Sequence, residues 1–312
     1  MKRLATTLAL LVTLLSAPAV AQTACQPGTY AAPDGDFVVL VPLPSIPAPG
    51  LRYLFRDGRR GATSDADAPL LCGTGEVSVQ ARAWKPVAFR ETPTTFDSVG
   101  TKMSGVLIEP PTIDPKRPLV VMVHGSERTS PIGGVYGYAM AAQGIAVFVY
   151  DKRGTGGSEG QYTQNFELLA ADAAHALDQA RSMTTGRVGR AGFFGGSQGG
   201  WVAPRAATLT KADFVAVGFG LVASPIEEDR EAPIETTRGA LLGLAKDGKP
   251  VDVYLFPDTD HGMFEYRTNA DGSRSGTRIT DGYLKLLGDW VKGAASGPYG
   301  RAEHLTKSVS PR

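Results

Sequence analysis

The chain has 312 residues, which is enough for one large domain or for a large domain with a small partner. Its 32 Lys and Arg residues balance its 31 Asp and Glu residues, so the charge indicates no basic face for nucleic acid. Apolar residues make up 42% of the chain, and its 38 glycines and 22 prolines follow no fixed period, which excludes collagen-like and repeat architectures.

Residues 1–21 have the pattern of a secretory signal peptide. Two basic residues precede an apolar run over residues 4–15, and the small side chains of Ala19 and Ala21 suit cleavage before Gln22. An uncleaved anchor helix needs about 18 or more apolar residues, and this run is shorter. No other stretch is long and apolar enough to span a bilayer. We therefore expect an exported protein, periplasmic or secreted, without a membrane span.

Residues 22–88 predict a small β-rich domain, because short apolar runs alternate there with clusters of Pro and Gly. Its predicted strands are Phe37–Val41, Leu51–Phe55 and Val77–Ala83. Cys25 and Cys72 are the only cysteines in the chain, and an oxidising compartment favours a disulfide between them. Two unpaired buried thiols are the alternative.

Residues 89–296 predict a second, larger domain, followed by a polar tail at residues 297–312. A strand pair comes first, and fully apolar strands then alternate with stretches of helical length. Such strands are typical of a mainly parallel sheet that helices cover on both faces. The predicted strands are Ala88–Phe96, Lys102–Glu109, Leu119–Val123, Ile145–Tyr150, Arg190–Phe194, Phe214–Phe219 and Val251–Phe256, and the predicted helices include Phe166–Ser182 and Ile234–Lys246.

The sequence Gly195-Gly196-Ser197-Gln198-Gly199-Gly200 lies between a predicted strand and a predicted helix. A serine on a tight strand-to-helix turn needs neighbours without side chains, because the turn strains its backbone and brings chain segments close together. The G-x-S-x-G pattern is weak alone, but this context favours Ser197 as a nucleophile. A phosphate loop or a plain turn is the alternative, although the sequence has no G-K-[ST] here.

Over residues 89–293 the chain resembles the α/β-hydrolase superfamily, especially exported bacterial esterases of the dienelactone-hydrolase and acylaminoacyl-peptidase-like branch. Besides the serine turn, the resemblance rests on Val123-His124-Gly125-Ser126, on residues 150–158 and on residues 256–262, in this order. It implies a mainly parallel α/β-hydrolase sheet flanked by helices. It also implies a serine hydrolase that cleaves small carboxylic esters through an acyl-enzyme, with neither a metal nor a cofactor. The oligomeric state is not indicated.

The resemblance also assigns roles to residues. Ser197 needs a base, and His261 lies on the loop directly after the last predicted strand, where this fold returns to the nucleophile. The backbone N–H groups of Gln198 and Ser126 are the expected oxyanion-hole donors. The other histidines are assigned to the oxyanion-hole turn (His124) and to the surface (His175 and His304). Lys152 and Arg153 are expected to be loop-fixing charges rather than substrate ligands.

The triad order Ser, acid, His requires a carboxylate between Ser197 and His261. Asp229 is the expected acid, because the sequence Asp229-Arg230-Glu231-Ala232-Pro233 resembles the acid-bearing loop of the family. Glu228 and Glu227 are the next candidates. Three other acids are rejected by their position, Asp258 and Asp260 beside His261 in the chain and Asp213 at the wrong end of a strand.

The chain departs from the family at residues 221–229, where the join near Glu228 indicates that the cap and one central strand are deleted. One predicted strand, not two, separates the nucleophile helix from Asp229. This departure leaves two alternatives to an esterase open. One is a peptidase with the same triad, and the other is a non-catalytic binding protein on a degraded hydrolase scaffold.

Overall fold

The computed structural model describes residues 24–42, 50–112, 114–219 and 234–306. The predicted signal peptide and the predicted acid Asp229, with its alternatives Glu227 and Glu228, lie outside the described residues. Of the helices in the described ranges, none has the length and apolar character needed to cross a membrane.

The N-terminal part is a seven-stranded antiparallel sheet, in the spatial order β4-β3-β2-β1-β7-β6-β5. Its strands are β1 (Gly28–Ala31), β2 (Phe37–Val41), β3 (Arg52–Phe55), β4 (Arg60–Ala62), β5 (Leu71–Gly73), β6 (Glu76–Val79) and β7 (Arg82–Pro86). The prediction of one strand over Val77–Ala83 is wrong. The chain turns back at Gln80 and Ala81, whose φ angles of 49° and 60° are left-handed, so that two paired strands form.

Strand β2 is buried on both faces, and each face belongs to a different core. Val38 and Leu40 pack inside the N-terminal part, where Cys25 and Cys72 form a disulfide. Phe37, Val39 and Val41 instead pack against residues of the C-terminal part. The antiparallel sheet therefore shares an apolar core with the rest of the molecule.

The second sheet has six strands in the order β13-β12-β10-β11-β9-β8. Its strands are β8 (Arg90–Ser98), β9 (Thr101–Glu109), β10 (Leu119–Val123), β11 (Ala146–Tyr150), β12 (Ala191–Gly196) and β13 (Phe214–Gly218). Strands β10 to β13 are parallel, and β8 and β9 form an antiparallel hairpin along one edge. The predicted α/β class, with a β-rich N-terminal part, is confirmed.

Helices cover both faces of the six-stranded sheet. The helices of the described ranges are α1 (Val135–Ala141), α2 (Phe166–Met183), α3 (Gly199–Ala207), α4 (Ile234–Lys246) and α5 (Tyr283–Val291). Helices α2 and α3 contribute to the core on one face, and α1 and α5 to the core on the other. The carboxyl ends of β10, β11 and β12 therefore meet at one edge between two layers of helices.

The sheet ends at β13 within the described ranges. The strand predicted over Val251–Phe256 shortens to β14 (Tyr254–Leu255), which pairs with β18 (Glu303–His304) rather than with β13. A cavity of about 170 Å³ lies between β13 and β14. Within the described ranges, β13 is thus the one strand of the six-stranded sheet that follows α3.

A small antiparallel sheet near the C-terminus was not predicted. This sheet follows β14 in the chain and consists of the strands β15 (Thr259–Asp260), β16 (Phe264–Thr268) and β17 (Arg274–Ile279). The N–H of Ile279 donates to the carbonyl of Gly58 at 3.1 Å, which joins this sheet to the N-terminal one. Part of the expected polar tail is also packed, since Tyr299 is buried in the shared core.

Candidate active site

Ser197 occupies the turn between β12 and α3 with a left-handed φ of 51°, which costs energy for a residue with a side chain. The turn is possible because its neighbours are glycines. A Cβ on Gly195 would lie 2.0 Å from the carbonyl oxygen of Gly199, and a Cβ on Gly199 would lie 2.0 Å from that of Val123. The glycines therefore let β12 and α3 approach β10 closely enough to present the serine at the edge of the sheet.

His261 lies beside Ser197, with its Nε2 atom 3.0 Å from the serine Oγ. The carboxylate of Asp260 accepts a hydrogen bond of 2.8 Å from the backbone N–H of His261. The ring of Phe219, at the end of β13, meets the imidazole edge to face with centroids 5.3 Å apart. The ring contact with Phe219 places the imidazole where Nε2 can take the serine proton.

Within the described ranges, no carboxylate makes a hydrogen bond or an ion pair with the imidazole of His261. The acids rejected from the sequence have other partners. Asp258 pairs with Arg301 at 3.4 Å, and Asp213 accepts a hydrogen bond from the N–H of Ala191 at 2.8 Å. The role of Asp229 remains a prediction.

The loop after β10 lies against the start of α3, because a Cβ on Gly199 would meet the carbonyl oxygen of His124 at 3.4 Å as well as that of Val123. Two carbonyls of this loop accept hydrogen bonds from side chains elsewhere in the chain. The carbonyl of Gly125 accepts from Lys152 Nζ at 2.6 Å, and that of Ser126 accepts from Tyr162 Oη at 2.7 Å. The predicted donors Ser126 and Gln198 are thus on adjoining segments.

The charged groups of this region are tuned by burial. Burial lowers the pKa of His124, so its imidazole is neutral at pH 7 and faces Glu127 with an Nδ1 to Oε2 distance of 3.8 Å. The contact with His124 lowers the pKa of Glu127 to about 2. Burial also lowers the pKa of Lys152 to about 8, which still leaves the ammonium mainly charged at neutral pH.

The turn after β11 is held by its own charges, as the sequence predicts. The carboxylate of Asp151 accepts a hydrogen bond from the N–H of Gly157 at 2.7 Å. The guanidinium of Arg153 is buried and forms two hydrogen bonds with Asp172, at 2.6 and 2.8 Å. Arg153 therefore has a structural role, and this pairing raises its pKa.

The other two histidines lie at the surface of the molecule, as expected. His175 is exposed on α2, and His304 stacks on Tyr254 with ring centroids 4.3 Å apart. Within the part of the chain that the structure describes, no group of three or more His, Cys, Asp or Glu side chains could hold a metal ion.

Comparison with known proteins supports the assignment of the fold. A family model described as serine aminopeptidase, S33, matches residues 114–250, which include the serine turn. No curated protein matches the chain.

Solved structures that resemble the chain share low sequence identity with it. A hypothetical protein from Pseudomonas aeruginosa is 20% identical, with 54% of this chain and 58% of that one covered and a TM-score of 0.38. A dienelactone hydrolase from Anabaena variabilis is 22% identical, with coverages of 42% and 64% and a TM-score of 0.34. An α/β hydrolase from a Penicillium species is 19% identical, with coverages of 69% and 70% and a TM-score of 0.37.

The chain spans less than two thirds of the length of the first two of these proteins. The family match over residues 114–250, the order of the parallel strands and the serine turn together support an α/β-hydrolase fold for the chain.

Proposed function

We propose that the protein is an exported serine hydrolase that cleaves carboxylic esters through an acyl-enzyme. The observation that carries the proposal is the 3.0 Å contact between His261 Nε2 and the Oγ atom of Ser197 on its strained turn. A serine hydroxyl is a weak nucleophile unless a base removes its proton, and this arrangement supplies the base.

In the proposed reaction, Ser197 Oγ attacks the ester carbonyl while His261 Nε2 takes its proton. The negative charge that develops on the carbonyl oxygen is stabilised by the backbone N–H groups of Gln198 and Ser126. His261 then gives the proton to the departing alcohol as the carbon–oxygen bond breaks. Water, activated by the same imidazole, hydrolyses the acyl-enzyme and releases the carboxylic acid.

Asp229 is proposed to hold the imidazole of His261 from its Nδ1 side, with Glu228 and Glu227 as the next candidates. Export through residues 1–21 is part of the same proposal. The disulfide between Cys25 and Cys72 supports it, since such bonds persist in oxidising compartments.

Ester turnover by a Ser197→Ala variant tests the proposal. We expect the wild type to hydrolyse p-nitrophenyl esters and Ser197→Ala to lose activity by about four orders of magnitude, with unchanged thermal unfolding. Ser182→Ala, on the exposed side of α2, is the matched control and should keep the wild-type rate. A Ser197→Ala variant with wild-type activity would contradict the proposal. A panel of esters with increasing acyl length then defines the substrate.

Two observations favour other candidates. The matching family model is described as a serine aminopeptidase, which supports cleavage of a peptide bond by the same groups. Turnover of aminoacyl p-nitroanilides, with none of p-nitrophenyl esters, would favour that peptidase. The deletion that the sequence indicates near Glu228 supports a binding protein without activity. Absence of both turnover and labelling by a fluorophosphonate would favour the binding protein.

A further inference from the structure

Lys152 is a buried cation whose ammonium connects two loops of the candidate site. It follows β11, and only 4% of its surface is exposed. Its Nζ atom donates to the carbonyl of Gly125 at 2.6 Å and to Oε1 of Gln198 at 3.3 Å. The two acceptors belong to the loop after β10 and to the start of α3. One ammonium therefore contacts both segments that carry the expected oxyanion donors.

The bond to Gly125 determines the orientation of the next N–H group. A trans peptide is planar, so the carbonyl of Gly125 and the N–H of Ser126 point in opposite directions from one rigid unit. An ammonium that holds the carbonyl thus sets the direction of the N–H. The positive charge also polarises the peptide, which makes its N–H a stronger donor.

Further hydrogen bonds hold the same assembly from the other side of Ser126. Tyr162 Oη donates to the carbonyl of Ser126 at 2.7 Å, and the Tyr162 ring lies 5.2 Å from the ammonium of Lys152. Gln164 bonds to both Tyr162 and Gln198, so the network closes on itself. Both peptides that flank the α-carbon of Ser126 are therefore fixed by side chains.

The type of residue at this position is informative. A buried ammonium carries a large desolvation cost, which a methionine of similar length would avoid. Within the described ranges Lys152 forms no ion pair with a carboxylate, and the nearby charge of Glu127 offsets only part of that cost. A group that is expensive to bury and is directed at two neutral carbonyl oxygens is suited to orienting them rather than to stabilising the fold.

We propose that Lys152 is a positioning residue whose single ammonium group orients the oxyanion donor of Ser126 and ties its loop to the side chain of Gln198, the residue that carries the second donor. The inference rests on the proposed serine hydrolase function. Lys152 acts through other groups, and it does not touch the reacting atoms.

Kinetics of Lys152→Met and Lys152→Arg test this role, with p-nitrophenyl acetate as substrate and phenylboronic acid as inhibitor. A tetrahedral boronate on the serine places an oxygen in the oxyanion hole. We expect Lys152→Met to lower kcat about 100-fold with KM changed less than about twofold, and to weaken phenylboronic acid by a similar factor. Lys152→Arg, which keeps the charge, should retain more of kcat. Lys116→Met, at an exposed position, is the matched control and should match the wild type.

Two results would overturn the inference. One is a wild-type kcat in Lys152→Met, and the other is a loss that appears in KM alone while phenylboronic acid binds normally. If Lys152→Met does not fold, Gln198→Met deletes the second acceptor and keeps the Gln198 N–H. That variant should lose about tenfold in kcat, and a wild-type value would again contradict the inference. The Ser197→Ala variant separates the two failures, because only failure of the proposed function leaves that variant active.

Discussion

The antiparallel N-terminal sheet and the six-stranded C-terminal sheet are stabilised in different ways. The first has strands of three to five residues and a disulfide that closes a long loop between Cys25 and Cys72. The second has strands that are buried along their whole length, such as β10 and β11, with helices packed on both faces. The N-terminal sheet is stabilised by a covalent bond, whereas the six-stranded sheet is stabilised by a larger apolar core.

The two sheets also differ in their relation to the candidate active site. Ser197 lies where glycines allow β10, β12 and α3 to approach each other closely. The N-terminal sheet packs closely against β17, which follows the histidine loop. A Cβ on Gly58 would lie 2.0 Å from the carbonyl of Ile279 in β17. The guanidinium of Arg60 also lies over the ring of Phe264. The N-terminal sheet thus contacts the segment that follows the catalytic candidate His261.

Removing the disulfide should have the largest effect on stability. The bond joins residues 47 positions apart, for which chain entropy predicts a contribution of about 4 kcal/mol. We expect the Cys25→Ser, Cys72→Ser double variant to lose about that free energy of unfolding in urea, while its ester turnover at low temperature stays near the wild-type value. An unchanged urea midpoint, or two free thiols in the denatured unreduced wild type, would contradict the role of the bond.

A methyl group at Gly199 should have the next largest effect on stability, and this effect concerns the six-stranded sheet. Its Cβ would overlap the carbonyl oxygen of Val123, so β10 and α3 must separate. We expect Gly199→Ala to destabilise the protein by about 3 kcal/mol and to abolish ester turnover. The control is Gly239→Ala on α4, where nothing lies within 4 Å, and it should stabilise the helix by up to about 1 kcal/mol. Equal unfolding curves for the two variants would refute the close approach.

The smallest predicted effect is a dependence of stability on pH. The pKa of Lys152 is lowered to about 8 by burial, whereas in the unfolded chain it returns to about 10.4. Between these values the unfolded state binds more protons, so this group makes stability rise with pH. From pH 8 to pH 10 the wild type should gain about 2 kcal/mol relative to Lys152→Met in urea unfolding. Parallel stability curves for the two proteins would show that the lysine is not desolvated.

Much of the six-stranded sheet can be predicted from the sequence, because short local patterns mark its strands and turns. The strand Leu119–Val123 is an apolar run between Pro118 and His124, and the serine turn is a run of glycines after such a strand. The family model that matches residues 114–250 covers the serine turn and the strand before it. The pairing of Ser197 with His261, which are 64 residues apart, follows from the resemblance and not from local pattern.

Other features could not be predicted because long-range contacts determine them. The turn at Gln80 and Ala81 has no glycine or asparagine to mark its left-handed backbone. The strand β17 is mainly polar and exposed, and its position depends on contact with the N-terminal sheet. In the sequence, Lys152 is one charged residue of a polar turn. Only the fold buries it against Gly125 and Gln198, which are 27 and 46 positions away.

The central claim is that Ser197 is a nucleophile activated by His261, and site-mapped labelling by a fluorophosphonate tests it most directly. Tryptic mass spectrometry of the labelled mature protein should place the adduct on the peptide that contains Ser197 and on no other peptide. We predict that His261→Gln lowers the labelling rate by at least about 1,000-fold, because the hydroxyl then has no base. Asp229→Asn should lower the rate less, and Glu228→Gln should not change it. Labelling at another serine, or equal labelling rates in the wild type and His261→Gln, would contradict the claim.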